Sequence, residues 1–251
     1  MSAATPKLAN KQTPAIPRGH SSRINNIIEV TKATKYLEIG VEAGNTFLNV
    51  LAKNKVAVDP KFRIDDAIQT EMKKSGGQFF EVTSDDFFNQ WDKTIKFDVI
   101  LIDGLHTYSQ TLRDFTNSLS VSHEKTVWVI DDVLPTNYAS VARTQMEFHR
   151  IKNVDHTIPS GWYGDTYKIL FFIQSYFPSL SMLFYGGSRG QAVVFRDLKN
   201  VLCQDKSMRP FDIEDISNLD FAAFQLHRSE YFPEQTESEV YADLREVFES
   251  Y

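Results

Sequence analysis

With 251 residues, 42% of them hydrophobic, the chain can bury one substantial core, read as a single domain with decorations. A formal charge of −6 excludes the broad cationic field of a duplex-binding protein and leaves room only for a local basic groove. No stretch of about 18 apolar residues suggests a membrane span, and the single cysteine, Cys203, excludes an internal disulfide and a cysteine-based zinc cluster, so a reducing setting is expected.

Residues 1–20 are rich in Ala, Lys, Pro and Thr but lack the apolar centre of a signal peptide, and read as a loose leader on a soluble cytoplasmic protein. Ile24, Ile27, Ile28 and Val30 then predict an amphipathic helix over 21–34, capped by Ser21 or Ser22. Strand-like runs follow at 36–39, 56–58, 78–82, 97–102 and 126–130. Helical stretches at 45–53, 64–74 and 108–121 alternate with them, which implies a parallel sheet covered on both faces. Past residue 135 a helix over 166–177 stops before Pro178. Runs at 180–185 and 191–196 flank Gly186-Gly187-Ser188-Arg189-Gly190, a hairpin signature. The tail is helical around 221–228 and 237–248. The expected organisation is a leader (1–20), one α/β domain (21–197) and a helical extension packed on that domain (198–251).

The first chemical signal is Tyr36-Leu37-Glu38-Ile39-Gly40-Val41-Glu42-Ala43-Gly44-Asn45-Thr46-Phe47. Glycines at a strand-to-helix turn let backbone approach a ligand that a Cβ would exclude, and a helix start behind them offers free N–H groups. Only two glycines are present, so this is not the G-x-G-x-x-G loop of dinucleotide sites. The pattern Glu-x-Gly-x-x-x-Gly resembles the first motif of the class I S-adenosylmethionine-dependent methyltransferases. Glu38, Gly40, Gly44 and Thr46 are its cofactor-side candidates, although Glu38 also reads as a solvated acid at a strand end. Asp59 ends the next strand, where a carboxylate can accept both ribose hydroxyls; before Pro60 it also suits a turn. In the resembled family the acid ending the second strand has the ribose role. Thr83-Ser84-Asp85-Asp86 follow the third strand, where Ser84 and Asp85 can reach an adenine edge and the same stretch can cap a helix.

The second signal is Asp103-Gly104-Leu105-His106-Thr107-Tyr108 after the fourth strand, with Asp131-Asp132 after the fifth. Adjacent parallel strands lie about 4.8 Å apart, so Asp103, Asp131 and Asp132 can converge. Three gathered carboxylates call for a cation, and an all-oxygen set suits Mg²⁺. Such an ion would orient a substrate hydroxyl beside His106, a base at neutral pH. Asp-Gly-x-His-x-Tyr, the Asp-Asp pair and Gly161-Trp162-Tyr163-Gly164-Asp165-Thr166-Tyr167-Lys168 resemble the family of macrocin-type sugar O-methyltransferases, over roughly 21–197. The resemblance implies Asp103, Asp131 and Asp132 as metal ligands, His106 as base, Asp103 also at the cofactor, and a doubly wound, mostly parallel seven-stranded sheet closed by an antiparallel hairpin. The long N-terminal portion of the sugar-modifying enzymes has no counterpart here.

Other readings stay open. Asp103 contacts cofactor only, the Asp-Asp pair caps a loop and His106 is a helix-start residue in a metal-free version. Asp165 suits an N-cap of the helix behind it or a substrate contact, and Tyr138, Trp162 and Tyr163 suit an aromatic wall over an acceptor or ordinary core. Histidines 20, 123, 149, 156 and 227 share no ligand spacing and read as surface or locally satisfied. The expected activity is Mg²⁺-assisted methylation of a hydroxyl on a small molecule or saccharide. The rivals are a metal-independent N- or carboxyl-methyltransferase and a non-catalytic cofactor-binding module. No nucleic acid or membrane partner is expected; a homo-oligomer is allowed, but no pattern calls for one.

Overall fold

The computed structural model describes residues 19–186, 190–202 and 210–250; Cys203, nearly all of the expected leader and the middle of the 186–190 turn lie outside them. Five strands, β1 (Lys35–Ile39), β2 (Asn54–Val58), β3 (Gly77–Phe80), β4 (Val99–Ile102) and β5 (Val127–Ile130), run parallel, and β6 (Leu180–Tyr185) and β7 (Gln191–Arg196) form the hairpin. A two-residue β8 (Glu234–Gln235) pairs with β6. The sheet order is β3-β2-β1-β4-β5-β7-β6-β8, with β7 antiparallel to both neighbours. This is the expected doubly wound, Rossmann-like arrangement closed by an antiparallel hairpin, one short strand wider than expected, because two residues carry no alternation to read.

The strands are apolar on both faces because helices cover both. On one face Leu37, Ile100 and Trp128 pack with Phe87 of α3 (Ser84–Gln90), Phe115 of α4 (Tyr108–Ser118), Phe171 of α6 (Lys168–Tyr176) and Phe224 of α8 (Phe221–Tyr231). On the other, Tyr36, Leu101 and Val129 pack with Ile24 and Ile27 of α1 (His20–Thr31) and with Val240 and Leu244 of α9 (Glu237–Glu249). Arg23 joins α1 to the far end of the chain: Nε lies 2.7 Å from Glu237 Oε1, and the guanidinium stands 4.7 Å above the Tyr185 ring. Three further helices, α2 (Asp66–Lys74), α5 (Gln145–Val154) and α7 (Ile213–Asn218), complete the set among the described residues.

Two local expectations are corrected. The first helix begins at His20, its N-cap is Gly19 at φ 117°, and neither serine caps it: Ser21 is buried and Ser22 Oγ donates to the Gly19 carbonyl. The helix expected over 45–53 is a single 3₁₀ turn, Phe47–Asn49. Side chains satisfy the backbone groups that a helix would have paired. Lys55 Nζ donates to the carbonyls of Phe47 (2.7 Å) and Val50 (2.8 Å), while Asn25 Oδ1 accepts from Leu51 N (2.8 Å) and Asn25 Nδ2 donates to Asn49 O (3.0 Å). No long helix N-terminus therefore stands behind the glycine loop.

Candidate active site

The sheet order reverses between β1 and β4, and a crevice opens beyond their carboxyl ends, as open α/β sheets require. A cavity of about 710 Å³ lies there. Gly40 (φ 86°) sits so close to the next strand end that a Cβ would overlap the Asp103 carbonyl. Glu38, Gly40, Thr46, Asp59, Ser84, Asp85, Asp103 and His106 all line the cavity. Gly44 does not: its φ of 76° and the nearby Ile64 side chain make it a packing position.

Several of these residues are already engaged. Glu38 is buried under the loop; Tyr36 Oη donates to its Oε2 at 2.6 Å, and burial, opposed by that bond and by Lys55, pushes its carboxyl up to about 8. Burial likewise brings Lys55 down to about 8. The pair holds the glycine loop from below. Asp59 Oδ2 accepts from Val41 N (2.9 Å) and Glu42 N (2.8 Å), and Oδ1 from Lys61 N (2.8 Å). Only Oδ1 retains a lone pair, so Asp59 is first a loop clamp and can accept one further hydroxyl, not two. Thr83 supplies the cap of α3 by accepting from Asp86 N, which leaves Ser84 and Asp85 on the cavity. Ser84 Oγ donates to Asp114 Oδ1 at 2.5 Å and Gln110 Nε2 donates to the same oxygen at 2.9 Å; Asp85 is 3.2 Å from Arg113 Nε.

At the β5 end, Asp132 has φ 57°, a left-handed conformation uncommon outside glycine. The bend turns consecutive carboxylates to different partners. Asp132 Oδ2 lies 2.7 Å from His106 Nδ1, and Asp131 Oδ2 lies 3.0 Å from His20 Nδ1. Ligand atoms of Asp103 fall within 4.8 Å of each pair, which makes two mixed groups, His20–Asp103–Asp131 and Asp103–His106–Asp132, in place of one all-carboxylate cluster. His20, expected at the surface or locally satisfied, is partly buried on the cavity and paired with Asp131. Nothing in the sequence links position 20 with position 131; the contact exists only because α1 lies along the sheet. Asp114 was missed too, although an acid beside Phe115 on a helix that buries that face was a usable signal.

A second set of contacts is built around His106. Trp162 stands 5.3 Å from its ring and donates Nε1 to Ala142 O at 2.7 Å. Gly164 (φ 59°) lies so near that a Cβ would overlap the His106 carbonyl. Asp165 does not cap the helix that follows it; its Oδ1 accepts from Tyr108 N at 2.7 Å, at the start of α4. Tyr163 is buried, whereas Leu105 and Tyr138 are exposed.

Residues 37–133 match the family model described as a methyltransferase domain. That span runs from β1 to the residue after Asp132 and so contains the glycine loop, Asp59, Asp103, His106 and both terminal aspartates. No curated protein matches the sequence. Among solved structures, the chain is similar to an O-methyltransferase from Bacillus cereus in complex with SAH, at 16% identity over 73% of this chain and 84% of that one, with a TM-score of 0.47. It is similar to TomG from Streptomyces achromogenes, an O-methyltransferase of tomaymycin synthesis, at 12% identity over 69% and 77%, TM-score 0.44. The N-methyltransferase NodS from Bradyrhizobium japonicum matches at 14% identity over 69% and 93%, TM-score 0.39. No helix among the described residues is long and apolar enough to cross a membrane.

Proposed function

We propose that the protein is an S-adenosylmethionine-dependent methyltransferase acting on a hydroxyl of a small molecule or saccharide, with help from a divalent cation. The observation that carries this reading is a close-approach glycine loop and a histidine paired to a buried aspartate on one cavity. The cofactor supplies a methyl group on a sulfonium. Gly40 gives its backbone room, Asp59 Oδ1 accepts one ribose hydroxyl, and Ser84 and Asp85 offer polar atoms to the base. Asp132 fixes His106 with its proton on Nδ1, so Nε2 is the atom that takes the proton of the acceptor hydroxyl. The buried acids fit a cation: Asp131 Oδ1 accepts no hydrogen bond from any described residue, a costly state for a carboxylate unless a positive charge joins it. Asp103 and Asp131 would hold that ion, which supplies charge to lower the pKa of the hydroxyl.

Calorimetry with S-adenosylhomocysteine and labelled-methyl transfer to a panel of hydroxylated acceptors test the reading. Expected are binding, transfer that EDTA abolishes and a divalent ion restores, and a turnover loss of about 10²–10⁴ in His106→Ala with cofactor affinity kept. Absence of binding sinks the methyltransferase reading, and wild-type turnover in the variant removes the base role.

A further inference from the structure

The two halves of the acidic cluster are chemically unlike. Asp132 and His106, 2.7 Å apart, make a complete pair for proton transfer. The other half is incomplete. The Asp131 side chain is fully buried, and neither of its oxygens accepts a hydrogen bond from a described residue. His20 Nδ1 stands 3.0 Å from Oδ2, an ion-pair separation, and makes no hydrogen bond to it. An oxygen of Asp103 completes the group within 4.8 Å. Two donors bonded cis to one ion at about 2.1 Å stand about 3 Å apart, the separation already present between His20 and Asp131.

We infer that His20, Asp103 and Asp131 form a one-nitrogen, two-oxygen site for a first-row divalent transition ion of the Mn²⁺ type, with His106 and Asp132 outside its coordination sphere. One imidazole among the donors moves the preference away from the all-oxygen shell of Mg²⁺, while two carboxylates keep it hard enough for Mn²⁺. Three protein donors leave positions for water and an acceptor oxygen. The inference rests on the methyltransferase reading only for what the ion is used for; the site itself stands apart from it.

The test is Mn²⁺ titrated onto the full chain without cofactor, followed by electron paramagnetic resonance, with pulsed spectra for ¹⁴N coupling from a bound imidazole. Expected is one tightly held Mn²⁺ per chain that Mg²⁺ displaces poorly, with a ¹⁴N signal. His20→Gln should remove that signal and weaken binding by roughly tenfold or more, no less than loss of a supporting residue behind a metal ligand costs. His106→Gln should keep both. Circular dichroism melts of the variants separate ligand loss from unfolding, and Asp131→Ala, which should abolish binding, checks the set by a second residue. Bound Mn²⁺ without nitrogen coupling, coupling lost in His106→Gln instead, or no stoichiometric binding overturns the assignment. Failure of S-adenosylhomocysteine to bind, with the nitrogen signal intact, would remove the methyltransferase reading and leave the site in place.

Discussion

Gly40 is the residue on which the two strand ends depend, since its φ of 86° and its contact with the Asp103 backbone both forbid a side chain. Gly40→Ala should cost roughly 2–4 kcal/mol from strain and overpacking together, and should abolish S-adenosylhomocysteine binding in calorimetry. Glu38 gives a pH prediction whose sign follows from its raised carboxyl, about 8 folded against an ordinary value of 4.5. The folded state holds the proton more tightly over that window, so stability should fall as pH rises from about 4.5 to about 8. Glu38→Gln should flatten the slope in chemical-denaturation series at stepped pH. Asp59 and Asp103 could be read from the sequence because each closes an apolar run, and Glu38 and His106 because each stands two residues from a turn glycine. Their engagements could not: that Asp59 spends three lone pairs on backbone amides, or that Lys55 turns inward under the loop, depends on loop conformation, which residue order does not express.

At the scale of elements, the strands and most helices were legible because buried parallel strands are short continuous apolar runs and helices between them carry threonine or aspartate caps at Asp65, Thr83 and Thr107. Two helices, α5 and α7, were not read from the sequence at all, and the helix expected over 45–53 failed because side chains from outside the segment outcompeted its own helical pairing. Asp165 shows the same kind of substitution, serving a helix distant in sequence. Asp165→Ala should lower stability by about 1 kcal/mol through loss of the bond to the first turn of α4. It should also reduce turnover with cofactor affinity unchanged, because the loop it ties down rests on His106.

For the molecule as a whole, α1 and α9 are one structural unit laid across the sheet, and α1 starts inside the site at His20. The sequence predicted both helices but gave no sign that they meet, since the contact is between residues over 200 positions apart, as in Arg23 with Glu237. Leu244→Ala, far from the cavity, should cost about 2–5 kcal/mol as a buried leucine truncation, measured by denaturant unfolding. It should also weaken Mn²⁺ binding, because His20 loses its support. The lodging of Gly164 against the His106 carbonyl ties the loop that carries Trp162 to the turn that carries His106. Under the proposed function, divergence toward a new acceptor is thereby channelled: position 164 is closed to a side chain, and exposed Leu105 on the cavity lining is where substitution can reshape the space beside His106.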